Sequence, residues 1–160
     1  MKKVIKYFVM DVDGTLTDEK IYIGASGEIF KVFDIKDGCG IHDILIPQGI
    51  IPVVITGRAS KIVEIRCKEL GIVECHQGIK NKIEILEGII SKTKYEYSDV
   101  AYMGDDINDL PCMKMIKKAG GIVGCPIDAA SPVKELADFV SKQEGGNGAV
   151  REFIEWVTAF

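Results

Sequence analysis

Positive charge is not in excess in this 160-residue chain. Its 20 Lys and Arg face 24 Asp and Glu, for a net charge of −4, so the electrostatic footprint of a nucleic-acid or anionic-membrane binder is missing. Long apolar runs are missing too, which removes a membrane-spanning helix. The start carries no apolar leader core and no cleavage site, and the expected compartment is the cytoplasm. Cysteine is present at only five places (Cys39, Cys67, Cys75, Cys112, Cys125), an odd number without a Cys-x-x-Cys. Cys75-His76 stands alone, so both a disulfide framework and a zinc site are disfavoured, and reduced, mostly buried thiols are expected. Repeats, low-complexity tracts and linkers are also lacking. With 47% hydrophobic and 28% charged residues, the chain reads as one globular domain over 1–160.

What is there is an alternation of apolar runs and helical periodicity. Residues 4–10 are short, β-branched and aromatic, as in a buried strand. Two alternating stretches around Tyr22 and Phe30, separated by Gly24-Ala25-Ser26-Gly27, predict a β-hairpin. It is marginal alone and rich in apolar side chains, so it is expected to pack on something, with 16–36 as the candidate contact with another subunit. Helical pattern follows at 37–45, then a strand at 49–55, a helix at 59–70 and a strand at 72–75. Next come a helix at 81–91, a strand at 100–103, a helix to Lys118, a strand at 121–123, a helix near 129–137, a brief strand at 139–140 and a helix from about Ala149. Strands alternating with helices predict an α/β fold, doubly wound around a mostly parallel sheet.

The first strand ends in Asp11-Val12-Asp13-Gly14-Thr15. Side chains two apart on a strand share a face, so Asp11 and Asp13 can enter one space, where two carboxylates need a cation or a shared proton. Gly14 permits a sharp turn, and Thr15 brings a hydroxyl beside the carboxylates. A calcium loop does not fit, since its sixth and twelfth places hold Leu16 and Tyr22. The alternatives left are a solvated turn and a Mg²⁺ site with one carboxylate free to attack phosphorus.

Ligands of such folds sit outside the carboxyl ends of the strands. There the second sheet strand delivers Thr56 and Arg58, the fourth delivers Asp105, Asp106 and Asp109, and Lys82 opens the helix after the third. Acidic groups, a hydroxyl, a lysine and an arginine converging at one edge suit a cation-assisted phosphate site.

Asp-x-Asp-Gly-Thr, a strand ending in Thr56, then Lys82, then Gly104-Asp105-Asp106-Ile107-Asn108-Asp109, in that order, resembles the haloacid dehalogenase superfamily of phosphatases over the whole chain. The resemblance implies Asp11 as nucleophile and Asp13 as general acid, then base. It implies Thr56 and Lys82 on the phosphoryl oxygens. Mg²⁺ would be held by Asp11, the Asp13 main-chain carbonyl and Asp105, with Asp106 in support and Asp109 orienting Lys82 or a metal-bound water. Only a hairpin fits the gap after the first motif, and one helix–strand unit fills the next, which looks like the capless branch.

Within that branch the chain resembles the 3-deoxy-D-manno-octulosonate 8-phosphate phosphatase family, which makes a lipopolysaccharide sugar and forms tetramers. The matching words are Asp11 to Asp18, Tyr22-x-Gly24, Asp37-Gly38-x-Gly40-Ile41, Ile55-Thr56-Gly57-Arg58, Arg66-Cys67, Gln77-Gly78, Asn81-Lys82 and Gly145 to Glu152. The likeness implies a sugar-acid phosphate held by Asp34, Lys36, Asp37, Gly38, Gly57, Arg58, Arg66 and Asn108. The glycine-rich tail would fold over a site and bring Arg151 to phosphate or carboxylate. Arginines suit such a substrate through bidentate hydrogen bonds. Two positions depart from the pattern, His42 and Lys36, where the family tends to carry Arg. Relatives acting on nine-carbon acids are the alternative substrate class; Arg58 favours the eight-carbon acid. Non-enzymatic alternatives are a phosphorylation-receiver domain, whose motif order differs, and a silent oligomerisation module, which intact Asp11, Asp13, Lys82 and Asp105 disfavour.

Overall fold

The computed structural model describes residues 4–159. Six strands form one sheet: β1 (Tyr7–Met10), β4 (Ile51–Ile55), β5 (Glu74–His76), β6 (Val100–Met103), β7 (Ile122–Cys125) and β8 (Phe139–Val140). Their order is β5-β4-β1-β6-β7-β8, and every neighbouring pair is parallel. The chain therefore winds outward from β1 through β4 to β5, then returns to the other side of β1 with β6. That reversal is the switch point where α/β sheets open a crevice at the strand ends.

Alternation along β1 builds two cores. Phe8 and Met10 face one side, where α2 (Lys61–Leu70) and α6 (Ala149–Thr158) pack through Val63, Phe153 and Ile154, beside Ile41 of the turn that continues α1 (Ile35–Cys39). Tyr7 and Val9 face the other, against α3 (Lys82–Ile90), α4 (Leu110–Ala119) and α5 (Ser131–Leu136) through Leu86, Met113, Ile116 and Val133. Strands covered on both faces need apolar side chains throughout, which is why β1, β6 and β7 are buried at every position.

The hairpin is a separate ribbon of β2 (Tyr22–Gly24) and β3 (Gly27–Phe30), braced by Tyr22 stacked on Phe30 with ring centroids 4.4 Å apart. Ile23 and Ile29 are more than half exposed upon it, as expected of an uncovered ribbon.

Several boundaries differ from the periodicity. Residues 4–6 are not in the strand; Lys6 makes single backbone bonds to Asp99 and Ile51 instead. The helix expected at 37–45 starts at Ile35, because Asp34 accepts the N–H groups of Lys36 and Asp37, and it widens into a π-helical turn over Gly40–Leu45. All five thiols are free.

Candidate active site

Asp11, Thr56 and Asp105 stand just beyond the carboxyl ends of three adjacent strands, β1, β4 and β6. Asp11 is 5% exposed, and the Val12 N–H donates to its Oδ1 at 2.7 Å. Lys82, the first residue of α3, is equally buried and lies 3.0 Å from Asp11 and 2.8 Å from Asp109. Burial opposes its charge, yet the two carboxylates outweigh that and hold the ammonium above its ordinary pKa.

Asp109 is fully enclosed. Its Oδ1 accepts from Lys82 and from the Tyr102 hydroxyl at 2.7 Å, and its Oδ2 from the N–H groups of Asp105 and Asp106. Those four bonds occupy its acceptor sites, so Asp109 orients Lys82 rather than presenting a free oxygen.

Asp105 receives the Thr15 hydroxyl at 2.8 Å. Burial, then the neighbouring charges of Asp11 and Asp109, push its carboxyl well above the usual range, and burial does the same to Asp11. Oxygens of Asp11, Asp105 and Asp109 lie within 4.8 Å of one another. A hard divalent cation suits the Asp11 and Asp105 oxygens of this cluster, because it removes the repulsion that otherwise favours protonation.

The turn after Asp13 sits so close to Asp105 that only glycine serves there. Gly14 has φ +89°, and a Cβ on it would lie 2.0 Å from Asp105 Oδ2. The glycine-rich segment at 145–148 packs against residues 14–18 of its own chain. Gly145 packs behind the turn, where a Cβ would meet the Gly14 carbonyl oxygen at 2.0 Å, and the Gly146 N–H donates to Thr15. Glycine was needed for close packing, a requirement that sequence reads equally well as flexibility.

An open cavity of about 270 Å³ is lined by Asp11, Asp13, Thr56, Gly57, Arg58, Asp105, Asp106 and Asn108, together with Glu19 and Ile21. The other residues expected at the substrate are elsewhere in the chain. Arg66 pairs with Glu69 at 2.8 Å and lies over the Phe33 ring. Arg151 pairs with Glu155 at 2.6 Å, beside a second hollow that it shares with Asp34 and Lys36. Asp37 is buried and accepts the Arg151 N–H, and Gly38 lies against Arg66 and Leu70. Within its own chain the Arg151 guanidinium is held by Glu155, one helical turn on.

Sequence reasoning missed Tyr102, read only as strand, and Lys31, whose Nζ lies 2.6 Å from Asp13 Oδ1. Strand periodicity marks Tyr102 as buried and says nothing of its hydroxyl. Lys31 carries no local signal, because its partner is 18 residues away.

Parallel strands with an acidic cluster at the switch point place the chain in the class of haloacid dehalogenase-type hydrolases. No family model matches the chain. A structure described as a haloacid dehalogenase superfamily (subfamily III A) hydrolase from Legionella pneumophila superposes with a TM-score of 0.91 at 31% identity, covering 99% of this chain and 84% of that one. The 3-deoxy-D-manno-octulosonate 8-phosphate phosphatase KdsC of Escherichia coli K12 is 40% identical over 151 residues, 94% of this chain and 78% of that protein. The corresponding Moraxella catarrhalis structure, a complex with magnesium, phosphate and the octulosonate sugar, has a TM-score of 0.91 and 38% identity, covering 99% and 88%. The chain belongs to the 3-deoxy-D-manno-octulosonate 8-phosphate phosphatase family.

Proposed function

We propose that this protein is a Mg²⁺-dependent phosphomonoesterase that hydrolyses 3-deoxy-D-manno-octulosonate 8-phosphate to the free sugar acid and phosphate. The observation that carries the reading is Lys82, held by Asp109 beside the Asp11 carboxylate and across from Asp105, in a member of that family.

In the first step an Asp11 oxygen attacks phosphorus, the bond from phosphorus to the sugar oxygen breaks, and Asp13 gives that oxygen a proton. In the second, Asp13 takes a proton from water, the water oxygen attacks phosphorus, and the Asp11–phosphorus bond breaks to release phosphate. Lys82 and Thr56 hold the phosphoryl oxygens, and Lys82 offsets the charge that a phosphate brings to a carboxylate. Asp11, Asp105 and the Asp13 main-chain carbonyl would hold Mg²⁺, which supplies further charge neutralisation at the transferring group.

Arg58, Gly57 and Asn108 border the same cavity and are assigned to the sugar acid, Arg58 to its carboxylate. Asp34, Lys36, Arg66 and Arg151 are assigned to the substrate only across a subunit boundary, because they line other parts of their own chain, where the buried Asp37 and Gly38 support Arg151 and Arg66. The open cavity and the exposed Ile23 and Ile29 of the hairpin support a homotetramer of single-domain chains (1–160) in which a neighbour closes the site. No helix among the described residues is long and apolar enough to cross a membrane. The five free thiols support a cytoplasmic setting.

A panel of sugar-acid phosphates tests the substrate. Phosphate release from the eight-carbon acid is expected to exceed that from nine-carbon acids by at least about tenfold in kcat/KM, the discrimination that about 1.4 kcal/mol of selective contact supplies. Equal rates would move the assignment to a broader substrate class. Light scattering that finds a fully active monomer would remove the tetramer.

A further inference from the structure

Lys31 follows β3 and turns back into its own chain, with only 3% of its side chain exposed. Its Nζ is 2.6 Å from Asp13 Oδ1 and 3.2 Å from Glu28 Oε2. Glu28 in turn accepts the Ser60 hydroxyl, and Ser60 caps α2, four residues beyond Thr56. A partly buried line of side chains thus runs Asp13–Lys31–Glu28–Ser60, from the first acidic loop, through the hairpin, to the start of the helix behind Thr56 and Arg58.

Burying a lysine is costly unless it is paired, and here both partners are carboxylates. Glu28 offsets the ammonium charge, so what remains for Asp13 is chiefly a fixed place for its carboxylate. Oδ1 is taken by Lys31, and among the described residues no hydrogen bond takes Oδ2. The Asp13 side chain stays 20% exposed and borders the cavity, so a substrate reaches it. Proton transfer demands that kind of restraint, because a general acid acts only from hydrogen-bond reach of the leaving oxygen.

We propose that Lys31 is a positioning residue that holds Asp13 for proton transfer to the leaving group, making the hairpin a working part of the site in its own chain. The inference rests on the acid–base role proposed for Asp13. Lys31 itself is too enclosed to touch substrate.

The test compares wild type, Lys31→Met, Lys31→Arg and Asp13→Asn in single-turnover phosphoryl transfer with Mg²⁺. Two leaving groups are used: an alkyl sugar phosphate, whose departing oxygen needs a proton, and a nitrophenyl phosphate, whose departing oxygen does not. Lys31→Met is expected to slow the alkyl substrate by about 10²-fold or more while the aryl substrate loses less than about tenfold. Lys31→Arg should recover most of the alkyl rate. A merely structural role slows both substrates alike, and that result overturns the inference, as does an unchanged alkyl rate. Where Lys31→Met does not fold, Lys31→Gln carries the same comparison. Leaving-group bias in Asp13→Asn but not in the Lys31 variants defeats the Lys31 inference alone. No bias in Asp13→Asn defeats the role of Asp13 on which it rests.

Discussion

Lys82 and Asp109 form a buried ion pair, Nζ to Oδ1 at 2.8 Å, with neither side chain more than 2% exposed. Such a pair is held less by its own attraction than by what its loss leaves behind. Asp109→Ala strands the Lys82 ammonium against Asp11 alone and orphans the Tyr102 hydroxyl and the N–H groups of Asp105 and Asp106. Urea unfolding should show a loss of about 3–5 kcal/mol. Tyr102→Phe removes one of four bonds to the same carboxylate and should cost about 1–3 kcal/mol. Equal costs would mean that Asp109 is not the hub of the network.

Asp11 and Asp105 crowd together, and Lys82 pairs with Asp11 but not with Asp105, so a cation bound only by the folded state should stabilise it by mass action. Mg²⁺ is expected to raise Tm and a chelator to lower it, measured by thermal denaturation. Asp105→Asn should abolish the Mg²⁺ increment while raising Tm of the metal-free protein, because it removes a crowded negative charge. A Mg²⁺ increment that survives in Asp105→Asn would take this residue out of the metal site.

Asp37 supplies a pH dependence away from the phosphate site. Burial raises its pKa to about 6, an effect that the Arg151 N–H only partly offsets, and Oδ2 is buried without a hydrogen-bond partner. Between the unfolded value near 4 and the folded value the native state binds the extra proton, so stability falls as pH rises through that window. The loss is about 1–3 kcal/mol and is complete above the folded pKa. Asp37→Asn keeps an acceptor for Arg151 and should flatten this part of the profile, leaving the variant more stable than wild type at pH 8. A profile unchanged by the substitution would assign the dependence to other carboxylates.

Gly145 lies behind the turn at Gly14, and its replacement tests whether that turn is braced from the tail. Gly145→Ala sets a Cβ against the Gly14 backbone carbonyl, where no flexible side chain can yield. A loss of more than about 2 kcal/mol is expected, with kcat falling because Asp13 moves with the turn. Unchanged kcat in a folded variant would show that the turn holds its shape unaided.

The fold was legible because its determinants are local and periodic. Apolar runs such as Tyr102-Met103 and Ile122-Val123 mark the strands buried on both faces, whereas the half-buried edge strand Glu74–His76 is polar at two of its three positions. The chain order of Asp11, Thr56, Lys82 and Asp105 was equally legible, since strand ends and a helix start deliver them. What sequence could not convey was direction. Arg151 and Arg66 are arginines suited to an anion, yet Glu155 and Glu69 hold them one helical turn away. The 145–148 segment carries glycine for contact with Gly14, and composition does not separate that from mobility. Lys31 and Asp13 meet only because the hairpin turns back, a long-range contact that no periodicity encodes.

Phosphate is expected to pass through Asp11. Acid quench during turnover of 3-deoxy-D-manno-octulosonate 8-phosphate carrying radiolabelled phosphate, with Mg²⁺ present, followed by peptide mapping, observes that passage directly. Label is expected on the Asp11 peptide within one turnover, chasing into inorganic phosphate, with neither event in Asp11→Asn. Phosphate release at an undiminished rate from Asp11→Asn, or label that reaches Asp11 and stays there, would contradict it.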